Sequence, residues 1–183
     1  LGARFLVTHL GSAGGRSMPS GRRRVAEALR RVLEKDSPVV LLLENSAGGG
    51  RAVGGFFGEI AEIMAGTAAG ARLGLCLDSC HAYAAGYDFR TLEQARTMVR
   101  ELDRTVGLGR VQVIHLNDCA GSLGSHRDRH QHIGKGEIGL EGFRSLLSLE
   151  SMRKIPLILE TPKDDPGDDR ENLSRIRDLL PSV

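Results

Sequence analysis

Five short apolar runs recur along the chain, and a longer stretch with one apolar face follows each of them. The runs are Arg4 to Thr8, Pro38 to Leu43, Arg72 to Leu77, Arg110 to Ile114 and Ile155 to Leu159. The intervening periodicity predicts helices from Pro19 or Ser20 to Lys35, Phe56 to Ala68, Thr91 to Val106, Leu140 to Leu149 and Asp169 to Leu180. In the first of these, Val25, Ala28, Leu29 and Val32 share a face; the last opens on an acidic turn and stops at Pro181. The runs are apolar on both faces, as parallel strands covered by helices should be. Alternating strands and helices of these lengths predict β-α units built on a parallel sheet.

Each run ends in a histidine or a carboxylate: His9, Glu44, Asp78, His115 and Glu160. Counting back by two from each places Val7 and Phe5, Leu42 and Val40, Cys76 and Gly74, Val113 and Val111, and Ile158 and Pro156 on one face. That face is assigned to the interior of a barrel, with Cys76 as a small core residue. In a parallel barrel the carboxyl ends of all strands lie on one rim, so these five side chains would converge there.

The stretch from Val113 to Gly139 adds further donors. His115, Asp118, Asp128 and His130 are all of the type that bind zinc, and in extended backbone Asp128 and His130 project to the same side. His81, just past Asp78, joins them, whereas His126 and His132 are read as supporting or surface residues. So many acids in one pocket would repel one another, and bound cations remove the conflict. Nitrogen and oxygen donors without cysteine suit zinc and accept manganese, and eight of them exceed the needs of one tetrahedral ion. Glu44 and Glu160 are placed as carboxylates bridging ions roughly 3.5–4 Å apart, the spacing used in phosphodiester displacement. They are taken as the catalytic pair.

Composition narrows the setting. The chain has 183 residues, 40% hydrophobic and 26% charged, with a net charge of +2, which suits a single domain over residues 1–183. The charges are mixed, permitting an acidic partner such as nucleic acid without demanding one; Arg22, Arg23, Arg24, Arg30 and Arg31 are read as a solvated helix face. Three cysteines, Cys76, Cys80 and Cys119, with no C-x-x-C and no signal peptide argue for reduced thiols in the cytoplasm. The apolar runs fall far short of the roughly 20 residues that span a bilayer, so no membrane is expected. The chain opens on Leu1, with a strand-like run already at Phe5, which suggests a fragment.

The motifs LENSAGGG (43–50), LCLDSCHAYAAGYD (75–88), HLND (115–118), RDRHQHIGKGEIG (127–139) and PLILETP (156–162) closely resemble endonuclease IV, the zinc-dependent apurinic/apyrimidinic endonucleases. The resemblance covers nearly the whole chain. It implies a (β/α)8 TIM barrel that holds three zinc ions and cleaves double-stranded DNA on the 5′ side of an abasic site, leaving a 3′-hydroxyl, in base excision repair. Carried across residue by residue, it makes Glu44 a bridge between two zincs, with His9 on the first. Asp78, His115 and Glu160 complete the second, and His81, Asp128 and His130 hold the third. THLGSAGG departs from the family's H-P-G-S by Leu10 in place of proline, and Cys119 and Ala120 stand where serine and a basic residue are common.

Only the last five of eight β-α units are found, so a partial barrel is expected, holding about two zincs here. A further histidine ligand and the loops that wedge into DNA would lie upstream. The complete enzyme is expected to be a cytoplasmic monomer, associated with the nucleoid if prokaryotic. Two other readings remain open: a metal-dependent sugar isomerase of the TIM-barrel type, and a catalytically inactive fragment that binds metal or DNA.

Overall fold

The computed structural model describes residues 2–67 and 72–180. Its elements run β1 (Phe5–Thr8), α1 (Met18–Leu33), β2 (Val40–Glu44), α2 (Phe57–Ala65), β3 (Leu73–Asp78), α3 (Ser79–Ala85), α4 (Leu92–Thr105), β4 (Val111–His115), β5 (Asp118–Cys119), β6 (His130–Gln131), α5 (Gly139–Leu147), α6 (Glu150–Arg153), β7 (Leu157–Ile158) and α7 (Asp168–Arg177). Five strands pair in parallel in the order β1-β2-β3-β4-β7, and β5 and β6 form a separate antiparallel pair. The parallel sheet is an open arc of a TIM barrel. Because the strands share one direction, the ends that carry Glu44, Asp78 and His115 lie along one edge, with His9 and Glu160 just beyond theirs.

Both faces of the sheet are apolar, but unequally covered. On the helix side Leu41, Leu43, Leu75, Leu77 and Ile114 pack with Ile60, Ile63, Met98, Leu102, Phe143 and Leu146 into one continuous core. On the other side Leu42, Cys76 and Val113 form a small cluster flanked by half-buried Phe5, Val7 and Val40. This is the interior face expected from the alternation, with one correction. Val111 belongs to the helix-side core, because the pairing of β3 with β4 skips a residue: Leu75 faces Val111, then Cys76 faces Val113. The extra residue, Gln112, brings its Cγ beside Gly74, where an added Cβ would meet Leu42 Cδ2 at 2.8 Å, the Arg110 carbonyl at 3.0 Å and Gln112 Cγ at 3.1 Å. Glycine at position 74 is what lets the irregularity pack.

Local chemistry sets the helix ends. Ser17 caps α1 by accepting the Ser20 N–H, with Pro19 in the first turn and Arg30 and Arg31 in the last. Thr91, expected as the first residue of its helix, instead caps α4 in a reciprocal box with Gln94. The expected ends at Ala68 and Pro181 lie outside the described residues. Arg22 is not a solvated charge: it lies 2.9 Å from Glu59 Oε1 and 2.6 Å from Glu62 Oε2, tying α1 to α2. The periodicity did not predict α3. All seven of its residues are buried, so it has no polar face to mark it; its signals are Asp78 as N-cap and Gly86, at φ 113°, as C-cap.

Gly74→Ala should therefore lower stability by about 1–3 kcal/mol, the usual range for overpacking a close-packed site. A urea denaturation midpoint equal to that of the wild type would show that the skipped register leaves more room beside Gly74 than its neighbours suggest.

Candidate metal centre

Glu44 is the hub of the edge. Its carboxylate is buried, with Oε1 2.9 Å from His115 Nδ1 and 3.6 Å from His81 Nδ1, and Oε2 3.0 Å from His9 Nε2. Glu160 Oε2 approaches the same His115 nitrogen at 3.0 Å. On the far side His81 Nε2 lies 3.0 Å from Asp128 Oδ1, and His130 Nε2 lies 3.6 Å from both Asp128 Oδ1 and Asp78 Oδ2. All eight side chains singled out in the sequence thus form one connected cluster. Donor atoms of Glu44, Asp78, His115 and Glu160 lie within 4.8 Å of one another, as do those of His81, Asp128 and His130 and those of His9, Glu44 and His81.

Neighbouring polar groups hold the imidazoles in a particular protonation pattern. His81 Nδ1 is 2.9 Å from the Asn45 carbonyl, and His130 Nδ1 is 3.0 Å from the Glu160 carbonyl. A carbonyl oxygen only accepts, so both Nδ1 atoms carry the proton and both Nε2 atoms present lone pairs when the rings are neutral. Those two Nε2 atoms are buried and lack a hydrogen-bond partner; the short approach of Asp128 to His81 is not aligned as a hydrogen bond. Unpaired buried nitrogens are costly in a protein, and lone pairs converging on a shared carboxylate fit a divalent cation.

Two asparagines that the motif reading passed over do most of the orienting. Asn45 donates to the Asp78 carbonyl at 3.0 Å and accepts the Asp78 N–H at 2.7 Å, bolting the end of β2 to that of β3. Asn117 donates to Asp78 Oδ2 at 2.6 Å and accepts the Glu160 N–H at 2.7 Å. Ser79 Oγ bridges the carbonyls of His115 and Asn117. Their sequence signal was position: Asn45 follows Glu44 directly, and Asn117 lies two residues after His115.

The remaining residues of the loop separate by role. Asp118, grouped at first with the donors, points away from the cluster; its carboxylate accepts N–H groups from Cys119, Gly134, Gly136, Ile138 and Gly139. His132 Nδ1 accepts from Asn172 Nδ2 at 3.0 Å, and its Nε2 lies 3.5 Å from Asp164 Oδ2, so both ring nitrogens face residues other than the eight of the cluster. His126 hydrogen-bonds through Nδ1 to the Ala47 carbonyl at 2.9 Å and lines a cavity of about 440 Å³ with His9, His81, Asp128 and the glycine-rich 48–50 segment. Leu10, standing in place of a proline, is buried and anchors the segment that presents His9.

Charge in the site is strongly coupled. Burial would raise the Glu44 carboxyl, but the hydrogen bond to His115 and the surrounding imidazoles carry it below its ordinary value. Asp78 is pushed up by full burial, which outweighs the opposing pull of His81 and His130. Burial would lower His81, yet Asp128, Asp78 and Glu44 together raise it to about 9. The His81 ring, 3.0 Å away, holds Asp128 below its ordinary value.

These contacts lead to two expected outcomes. His81 gains protons on folding, so in the metal-free protein its contribution to stability is complete below its ordinary pKa of about 6.5 and is lost as pH rises through about 9. A cation competing for the ring must displace that proton, so metal affinity should climb over the same window; chelator-treated unfolding curves and metal titrations across it check both signs, and flat profiles would refute them. Asp118→Asn turns one acceptor oxygen into a donor facing N–H groups, and should destabilise the chain by about 2–4 kcal/mol in thermal or urea melts; a neutral result would mean that water serves those groups.

A family model described as xylose isomerase-like TIM barrel matches residues 1–179. A relative named probable endonuclease 4 from Methanoculleus marisnigri is 46% identical over 181 residues, covering 98% of this chain and 64% of its own length. One from Geobacter sulfurreducens is 44% identical over 183 residues, covering 98% and 62%. The crystal structure of endonuclease IV from Thermus thermophilus superposes with a TM-score of 0.80 at 41% identity, over 98% of this chain and 62% of that one. A D-tagatose 3-epimerase-like protein shares the fold at a TM-score of 0.62 and 18% identity. The chain spans less than two thirds of the length of these endonuclease relatives.

Proposed function

The chain belongs to the xylose isomerase-like TIM barrel family and stands within it beside the endonuclease 4 proteins, and from that premise we propose that its pocket serves zinc-dependent hydrolysis of double-stranded DNA on the 5′ side of an abasic site, in base excision repair. The observation that carries this reading is the pair of buried, unpartnered imidazole nitrogens, His81 Nε2 and His130 Nε2, in a donor cluster carried by a chain 46% identical to an endonuclease 4 relative. His9, Glu44, Asp78, His81, His115, Asp128, His130 and Glu160 are the proposed ligands, for up to three ions in a complete barrel and about two in these residues. We read residues 1–183 as a single domain of five β-α units of that barrel, acting as a cytoplasmic monomer once complete. Among the described residues no helix is long and apolar enough to cross a membrane.

Bound zinc supplies Lewis acidity toward the phosphate oxygens. The chain supplies position and charge. Glu44, held ionised by His115 and the other imidazoles, offers its oxygens in opposite directions, to His9 on one side and His115 on the other. His115 Nδ1 lies 2.9 Å from Glu44 Oε1 and 3.0 Å from Glu160 Oε2, so both carboxylates converge on one ring nitrogen. Asn117 couples Asp78 to the Glu160 backbone, limiting drift of the two across the pocket. A misplacement of about 1 Å in such a site costs on the order of 100-fold in rate, which is why orienting bonds matter here. Likeness to an epimerase-like protein at 18% identity concerns the fold alone, and no feature of the pocket favours the sugar isomerase.

The test is incision of a duplex carrying a stable abasic analogue, scored by whether the product has a 3′-hydroxyl that a polymerase can extend. His130→Ala should lose more than the roughly 10–100-fold typical of outer-shell changes, and His126→Ala far less; equal losses would mean that the loop histidines have been mis-sorted. Folded protein dialysed against trace zinc should retain about two ions per chain, given the ligand sets above. Zinc-free folded protein, or aldose–ketose interconversion without incision, would overturn the proposal.

A further inference from the structure

Beside the nitrogen and oxygen cluster lies a second set of donors that the proposed reaction does not use. Cys80, the second residue of α3, and Cys119, in β5, are both fully buried. Cys119 pairs with His130 across β5 and β6. Donor atoms of Asp78, Cys80 and His130 lie within 4.8 Å of one another, and His130 Nε2 is one of the two buried nitrogens without a partner. One sulfur, one imidazole nitrogen and one carboxylate oxygen thus gather, and the register of β5 and β6 sets the Cys119 side chain on the same side as that of His130.

We propose that Cys80, Cys119, His130 and Asp78 form a binding site for a thiophilic divalent d10 cation, of which cadmium is the representative. Soft thiolates select soft cations over hard ones, and a four-donor set of this composition suits tetrahedral coordination. Around a d10 ion of zinc's size, with bonds of about 2.0–2.3 Å, donors stand nearly 4 Å apart, close to the 4.8 Å within which the donor atoms of Asp78, Cys80 and His130 already lie; Cys119, opposite His130 in the β5–β6 pair, supplies the fourth position. Binding releases two protons: each thiol loses its hydrogen to solvent as its sulfur bonds to the cation. Two thiolates then neutralise the dication, which removes most of the penalty of placing it in a buried position. Cys80 gives up only a weak contact to the Arg129 carbonyl at 3.5 Å. His130 and Asp78 are shared with the neighbouring cluster, so a soft cation withdraws both from it. None of this depends on which reaction the pocket performs.

The experiment adds isotopically labelled cadmium to the zinc-equilibrated protein and records correlation between the 113Cd nucleus and cysteine β-protons, alongside the thiolate-to-cadmium charge-transfer absorption. One ion coupled to the β-protons of both Cys80 and Cys119 is expected, with none to Cys76. Cys119→Ser should abolish that pattern and weaken cadmium binding by more than the roughly 10–100-fold seen for outer-shell losses, whereas Cys76→Ser should leave it intact. If Cys119→Ser does not fold, the wild-type couplings decide alone. Cadmium that binds without coupling to both cysteines, or that couples to Cys76 instead, overturns the site. These spectra read out whether or not abasic DNA is cut, so a failed nuclease assay and a failed cadmium site are separately visible.

Discussion

A carboxylate that is buried and still ionised needs partners, and the architecture around Glu44 is a response to that demand. An isolated buried charge is heavily penalised; here His115, His81 and His9 supply the compensation. Those imidazoles in turn need fixed orientations, which backbone carbonyls and the Asn45 and Asn117 amides provide. Each layer of hydrogen bonds exists because the one inside it would otherwise hold an unpaired polar group. Within this cluster His81 Nε2 and His130 Nε2 are left without a hydrogen-bond partner, and they face the space where a cation fits.

That arrangement is possible because the strands are parallel. Parallel register carries the strands' terminal polar residues to the same edge, while apolar residues two positions earlier fall into a layer beneath it. Leu42, Cys76 and Val113 make the first such layer under the pocket. The floor is therefore dry and the rim polar, which strengthens electrostatic interactions at the rim. The sheet is less well covered toward its edges: Leu6, on the helix side of β1, is 59% exposed and Ile158 in β7 is 47% exposed. Edge strands with exposed apolar side chains are the regions of a sheet most prone to pair with other chains.

The long loop after β4 is held by a different device. Asp118 gathers five backbone N–H groups around one carboxylate, and Asn172 reaches from α7 to fix the Ile133 N–H at 2.9 Å. Between these anchors the chain is pinned firmly enough for β6 to present His130. A loop that must place a ligand on a site built mainly from strand ends needs such an internal scaffold, since it has no sheet of its own beyond the two-residue β5–β6 pair.

Much of this was legible in the sequence because it depends on periodicity and on end positions. Apolar runs of strand length, alternating with amphipathic helices and each closing on a histidine or acid, suffice to place a parallel arc with His9, Glu44, Asp78, His115 and Glu160 at one rim. Tertiary structure decided what periodicity does not encode. The skipped register that sends Val111 to the helix side arises from packing at Gly74, and no local pattern marks it. The helix α3 was invisible because burial on all sides erases the polar face that a pattern reading requires. Asp118 and Asp128 are chemically identical in sequence, yet one turns inward to N–H groups and the other outward to His81; only the path of the loop distinguishes them. Likewise Cys80 and Cys119 come from separate β-α units and share one buried core through packing across the fold that sequence spacing does not contain.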